Sequence, residues 1–482
     1  MSTSAVNPLS SLTDALSSSN STSGTSSSSS SNAGLGQGID VQEFVQYALA
    51  DQEAVITNLQ NQQSTLSSQS SELSTIQSDF SALDSAVQAL NDPLGALAAQ
   101  SVTSSDSGVV TGTADSTATS ATHTIVVNSL ATTSSYYSDE VPTSSTALTG
   151  SLQISVGSGS AQTVPIDSAD NTTTLAGIAS YINSNSNLGV TATVVQDAGG
   201  ARLALVSNTS GAPGNLTVTG SLSYTDSTGA AQTASFHQGV QGTNASLTVD
   251  GIPVSSTTNT ISNAINGVTL TLNGTSPLNG TTATPTTLTV APDTSQISNA
   301  IGNFVSAYNA VVTEINNQFD VTSTSAGGPL EADNSLRQVQ SMLLNAISYS
   351  VTGNNGIVNL ASMGINMNDD GTLTVDNDTL NSALASNPSA VQSFFQNAST
   401  GFAQQLDTAI QTINDPATGI LALDSQGISQ SSQDITDQVD DLQAALSTQE
   451  QELTQVYSQV NVTLEELPLL ESQMNQQLAS IQ

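Results

Sequence analysis

The sequence predicts an α+β multidomain protein: long terminal helices paired as a coiled-coil stalk, a middle domain mixing helices with a hairpin, and β-rich head domains. Three observations predict it. Apolar residues recur at three-four spacing near both chain ends, the pattern switches to period two in the centre, and helical periods return from Ser295.

Residues 1–33 are low in complexity, with "SSSNSTSGTSSSSSS" at Ser17–Ser31. Such a stretch buries too little apolar surface to offset its ordering entropy and is expected to be disordered. Gly34, Gly36 and Gly38 punctuate the start of the next segment, where Asp40 suits an N-cap with Glu43 three residues on. The stripe Val45, Leu49, Ile56, Leu59, Leu66, Leu73, Ile76, Phe80, Leu83, Val87 and Leu90 then describes a long amphipathic helix, which Asn91-Asp92-Pro93 ends. Gln52, Gln63 and Ser70 interrupt the stripe with polar groups.

The far end mirrors this pattern in Ile428, Ile435, Val439, Leu442, Leu446, Leu453, Val456, Val460, Leu464 and Leu467, continued by Met474, Leu478 and Ile481. Leu464 falls four residues after Val460 and breaks the register, and Pro468 is expected to kink or split the helix. Helices this long rarely lie on a core without partners, so the two ends are expected to zip together. The expected seam is Val45, Leu49, Ile56, Leu59, Leu66, Leu73, Ile76, Phe80, Leu83 and Val87 against Ile435, Val439, Leu442, Leu446, Leu453, Val456 and Val460. The alternative is that each helix lies separately on a globular core.

Between the ends, "HTIVVNSL", "SLQISVG", "VTATVVQ", "ARLALVS", "NLTVTGSLSY", "ASLTVDGIPV", "GVTLTLNG" and "TTLTVAP" read as strands separated by Gly, Asn, Asp and Pro. One helix interrupts them at Thr173–Asn185, with Leu175, Ile178 and Ile182 on one face. From Ser295 a helix carries Ile297, Ile301, Phe304, Val305, Tyr308, Val312 and Ile315, and Leu336–Ile347 forms another. A hairpin is expected around Asp369-Asp370-Gly371, followed by a helix over Asp376–Phe395. The expected domains are therefore nested: 34–92 with 427–482 as stalk, 93–120 with 294–426 as mainly helical middle domain, 121–135 with 236–293 as one head, and 136–235 as a second.

Charge excludes several functions. Asp and Glu total 39, Arg202 and Arg337 are the only Lys or Arg residues, and charged residues make up 9%. Displacing counterions from nucleic acid or an anionic membrane requires clustered cations, so neither partner is expected. Cysteine is absent, which suits an exported chain that never depends on oxidation. No apolar run reaches the length of a membrane span, and the N-terminus lacks a basic start and continuous apolar core, so an exported chain needs another route.

Catalytic candidates are poor. His123 and His237 are the only imidazoles, His123 at a strand start and His237 at a domain junction. In "NMNDDGTLTVDN", Asn366, Asn368 and Asp370 sit at calcium-loop positions one, three and five, with Gly371 at six, but Asn377 cannot supply the closing bidentate carboxylate. An Asp-Gly hairpin is expected instead. No phosphate loop or nucleophile elbow occurs, so neither enzyme activity nor a cofactor or metal is expected.

"GLGQGIDVQEFVQYALADQE" and the helix after it, "SVTSSDSGVVTGTADSTATSATHTIVVNSLA", "GPLEADNSLRQVQSML" and "LASMGINMNDDGTLTVDNDTLNSALASNP" together resemble the flagellar filament cap family, hook-associated protein 2. "TLAGIASYINSNSNLGVTATVVQDAGGARLALVSNTSGAPGNLTV", in the second head, resembles the repeat module of flagellins and hook-associated proteins. The near-absence of cations and the long Ser-rich start depart from the family pattern. The resemblance implies an extracellular homo-oligomeric ring at the filament tip that guides folding and insertion of flagellin and prevents its loss. It also implies passage through the flagellar type III export apparatus, with a cytoplasmic export chaperone. Two other readings remain open: a secreted adhesin whose β-rich head binds host or surface glycans, and a flagellin or junction protein. Scarce cations also suit acidic surroundings, because few ion pairs are lost when carboxylates protonate.

Overall fold

A computed structural model of the chain describes residues 41–320 and 327–479. The Ser-rich residues 1–33, the glycines at 34, 36 and 38, the expected N-cap Asp40 and Ile481 lie outside the described residues. In chain order the α-helices are α1 (Val41–Asn91), α2 (Leu175–Ser184), α3 (Thr294–Phe319), α4 (Asn334–Ile347), α5 (Asn377–Ser386), α6 (Pro388–Gln396), α7 (Phe402–Asn414) and α8 (Ile420–Ala479). Two compact units divide the chain: one combines residues up to Ser68 with those from Ile428 onward, and the other is Gln69–Gly427.

The first unit consists of the outer parts of the two longest helices, α1 of 51 residues and α8 of 60. Of the kink or split expected at Pro468, the split does not occur: α8 continues on both sides of it. Proline removes one backbone donor and crowds one carbonyl, and the helix-favouring stretches Leu464–Leu467 and Leu469–Gln477 carry the element across that defect.

In the second unit, α1 ends at Asn91 as the Asn-Asp-Pro sequence dictates. The Gln396 amide donates to the carbonyls of Leu90 at 2.9 Å and Asp92 at 2.8 Å, satisfying acceptors that a helix end leaves open. Packed with this end of α1 is a helical core centred on Phe402, whose ring lies 5.8 Å from Phe304, 5.4 Å from Phe394 and 5.7 Å from Phe395. Helices α3 and α4 begin on carboxylate caps: Asp293 accepts from Ser295 N and Gln296 N, and Asp333 from Ser335 N and Leu336 N. The single helix expected over Asp376–Phe395 is two, α5 and α6. Pro388 excludes Asn387 from helical geometry and opens α6 as its first residue.

Sheets fill the rest of this unit. The first strands are β1 (Gln100–Ser104), β2 (Val110–Ala114), β3 (Ala121–Ser129), β4 (Thr133–Ser138), β5 (Thr149–Val156) and β6 (Gln162–Val164). Next come β7 (Val190–Gln196), β8 (Ala201–Ser210), β9 (Leu216–Thr225), β10 (Ala231–Val240), β11 (Ala245–Val249) and β12 (Ile252–Ser256). The last are β13 (Thr260–Ile265), β14 (Val268–Leu272), the short pair β15 (Leu278–Asn279) and β16 (Thr282–Ala283), β17 (Thr286–Pro292), and the hairpin β18 (Ile365–Met367) and β19 (Leu373–Val375).

A seven-stranded antiparallel sheet, β6-β5-β9-β10-β4-β8-β7, buries one face under α2, whose Leu175, Ile178 and Ile182 enter its core as their spacing predicts. A five-stranded sheet, β1-β17-β3-β11-β12, shares a second core with the three-stranded β13-β14-β2. The expected border at residue 120 therefore cuts through both of these sheets, because β1 pairs with β17 and β2 with β14. Likewise β4 and all of β10 lie in the seven-stranded sheet, so the junctions expected after residues 135 and 235 fall inside strands. "QSVTS" and "VTGTA" carry too few apolar residues to announce themselves as strands; their partners decide the pairing.

Candidate functional site

About half of the expected seam is covered within the first unit. Val45, Leu49, Ile56 and Val439 are buried there, and Leu59, Leu66, Ile435, Leu446 and Leu453 are half-buried. The Gln63 amide donates to Thr436 Oγ1 at 2.7 Å across the two helices. Gln52 points into solvent.

The rest of the seam expectation needs correcting. Leu73, Ile76, Phe80, Leu83 and Val87 are buried, but in the second unit, where this part of α1 packs in the helical core. Asn414 of α7, for example, donates to the Gln77 carbonyl at 3.2 Å. On α8, Leu442, Val456 and Val460 are 36%, 55% and 41% exposed, while Tyr457 and Leu464 are half-buried. The covered face repeats at eleven-residue intervals (Leu446, Tyr457, Pro468; Leu453, Leu464), whereas the expected seam assumed seven. A straight helix of 3.6 residues per turn drifts by about 20° per heptad, enough to move Val456 and Val460 off the face. Past it, Leu467, Leu469, Leu470, Met474 and Leu478 leave an apolar surface open to water.

Sequence reasoning missed a set of facing carboxylates in the second unit. Asp84 of α1 meets Asp407 of α7; burial first, then its neighbour, holds the Asp84 carboxyl above the usual range. Asp424 of α8 meets Asp333, and burial followed by the hydrogen bond and charge of Asp333 pushes it up to about 7. Glu72 and Asp79 of α1 both face Glu314 of α3 and are raised by burial and by that charge. The available signal was Asp84 and Asp424 lying beside buried apolar positions, Leu83 and Leu421, in a chain without lysine.

Both imidazoles brace strands. His123, near the start of β3 as expected, contacts Asp250 at 2.8 Å, and the Asp250 carboxylate also accepts from Thr124 N. Asp250 and Gly251 form the β11–β12 turn with φ of 52° and 82°, the left-handed pair of a type I′ hairpin. His237 lies within β10, opposite Tyr137, and contacts Asp139 at 2.8 Å. The calcium-like stretch is the β18–β19 hairpin: Asp370 accepts from Thr372 N and Oγ1, and Asp376 caps α5. Asp370 and Asp376 thus bind the chain's own turn and helix start. Among the described residues no group of three His, Cys, Asp or Glu is placed to hold a metal, and no helix is long and apolar enough to cross a membrane.

Long terminal helices whose outer parts share one unit, an aromatic-centred helical core and sheet-built insertions define an α+β protein of nested architecture. The family model described as "Flagellar hook-associated protein 2 N-terminus" matches residues 37–134, and "Flagellar hook-associated protein 2 C-terminus" matches 242–468. A third, "Flagellin hook IN motif", matches 151–209, within the seven-stranded sheet region. The B-type flagellar hook-associated protein 2 of Pseudomonas aeruginosa is 28% identical over 405 residues, covering 80% of this chain and 84% of that protein. Flagellar hook-associated protein 2 of Escherichia coli K12 is 27% identical over 465 residues, covering 92% and 97%. The crystal structure of the D1-D2-D3 domains of the Escherichia coli flagellar cap protein FliD superposes with a TM-score of 0.56 at 27% identity, over 74% of this chain and 99% of that one. The chain belongs to the flagellar hook-associated protein 2 family.

Proposed function

We infer that this chain is the cap of the bacterial flagellar filament, an extracellular structural protein at the distal tip. The observation that carries this reading is the matching of the N- and C-terminal models of one family, in order, at the two ends of the chain. The likeness to a solved flagellar cap protein supports it. The relatives carry flagellar names, and the adhesin reading has no comparable support.

In this reading the chain acts without covalent chemistry, as a homo-oligomeric ring that guides folding and insertion of arriving flagellin and keeps it from being lost. It reaches the tip through the flagellar export apparatus, escorted by a cytoplasmic chaperone. The outer parts of α1 and α8 form the leg, with Val45, Leu49, Ile56, Leu59, Leu66, Ile435, Val439, Leu446 and Leu453 as its seam. The open apolar surface of α8 docks reversibly against flagellin. The domain division that suits the sheets places β1–β3 and β11–β17 in one head, β4–β10 in the other, and α3–α7 with the inner part of α1 in the helical domain.

Deleting the gene tests the function. Unpolymerised flagellin should then accumulate in the medium and filaments should shorten, with the wild-type gene restoring both; unchanged filaments would contradict the cap reading.

A further inference from the structure

Several carboxylates in the second unit face one another across helix contacts, where proteins ordinarily place a cation. Asp84 Oδ1 and Asp424 Oδ2 are the buried side-chain oxygens left without a hydrogen-bond partner among the described residues. Around Asp84, the Gln88 amide donates to Oδ2 at 2.8 Å, and α7 presents Asp407 and Gln411. Around Asp424, the facing group is Asp333, whose Oδ1 already accepts from Ser335 N at 2.7 Å and Leu336 N at 3.1 Å. Neither guanidinium serves these groups: Arg202 pairs with Glu140 at 2.8 Å, and Arg337, one turn into α4, lies 4.3 Å from the Phe319 ring centroid and donates to the Glu331 carbonyl. An unpartnered buried carboxylate oxygen beside a second carboxylate is satisfied when a proton makes it an O–H donor to that neighbour.

We propose that the Asp84–Asp407 and Asp424–Asp333 pairs each hold one shared proton, making the helical part of the second unit an acid-stabilised lock that loosens as pH rises. Each proton comes from solvent and returns to it, and no bond other than O–H forms or breaks. The sign follows from the environment. Burial and a like charge raise the carboxyl of Asp424, and likewise Asp84, above its unfolded value. The stabilisation is therefore complete below the unfolded range near about 4 and disappears as pH rises through the folded value, about 7 for Asp424. Glu72 and Asp79, both facing Glu314, act in the same direction. The turn carboxylates act oppositely: Asp226, lowered to about 2 by hydrogen bonds from Thr228, Gln232 and Ala230, stabilises its turn until that pH is approached. Between about pH 4 and about pH 7 these pairs gain from protons, where carboxylates usually lose.

Thermal unfolding of the full chain, followed by circular dichroism from about pH 4.5 to about pH 7.5, tests the lock. Wild type should melt lower as pH rises. Asp424→Asn and Asp84→Asn supply a permanent neutral donor, so they should match wild type near about pH 4.5 and exceed it by about 2–4 °C near about pH 7.5. Asp333→Asn keeps an N-cap and removes the same repulsion from the other side, so it must flatten the slope equally even if Asp424→Asn fails to fold. Infrared spectra should show a protonated-carboxyl carbonyl band near pH 6 that weakens in the variants. A wild-type melting temperature that is constant or rises over this range, variants with the wild-type slope, or absence of that band would each overturn the proposal.

Discussion

The sharpest test of the docking role is a triple substitution on the last turns of α8, Leu469→Asp, Leu470→Asp and Met474→Asp. These side chains are 64%, 63% and 60% exposed, so the folded chain gains little from them. Full burial of such a side chain is worth roughly 1.5–3 kcal/mol. With about 60% of the surface still available, each can add about 1–2 kcal/mol on docking, and three together about 3–5 kcal/mol. That corresponds to a roughly hundred- to several-thousand-fold weaker hold. Surface substitutions away from caps and cores change stability by only about 0.5 kcal/mol each. The assay is complementation of a deletion strain, with flagellin in the medium quantified by immunoblot and melting measured on purified protein. The expected result is lost flagellin and short filaments at near-normal melting temperature. Normal filaments from the triple variant would refute the docking argument, and a collapsed melting transition would mean that this surface is covered within the chain.

Other outcomes follow from the same geometry. Phe402→Ala removes a fully buried ring that touches Phe304, Phe394 and Phe395, so urea unfolding should show a loss of about 3–5 kcal/mol; a loss under about 1 kcal/mol would contradict the aromatic centre. Gln63→Leu should raise the melting temperature, since Thr436 Oγ1 still donates to the Ser432 carbonyl and the half-buried position gains apolar contact. Ser70→Leu should not, because Ser70 is exposed, although the sequence pattern placed both in the seam. Pro468→Ala should restore a backbone donor inside α8, worth about 3 kcal/mol to the local helix, and slow hydrogen exchange around Leu464–Ser472; unchanged exchange would count against it.

The long helices, α2 and the hairpin strands could be read from the chain because their signals are local. Three-four spacing and the Asp370-Gly371 turn each act within a few residues, whereas "ASLTVDGIPV", expected as one strand, is the β11–β12 hairpin folded at Asp250-Gly251. The strands β1, β2 and β4 could not, because Ser and Thr occupy positions that only a partner strand makes strand-like. The seam was half legible. The stripe on α1 is continuous, and nothing in it marks where Leu66 ends one environment and Leu73 begins another.

By itself, then, the sequence determined the α+β class, the two great helices, the family motifs and the scarcity of cations, since each is a property of composition or of neighbours along the chain. Only the tertiary structure decided which face of α8 is covered, which strands share a sheet, and that Asp84 and Asp424 meet other carboxylates. Those outcomes depend on groups from dozens to hundreds of residues apart, and the accumulated twist of a straight helix or the pairing of a distant strand sets them, which no local pattern records.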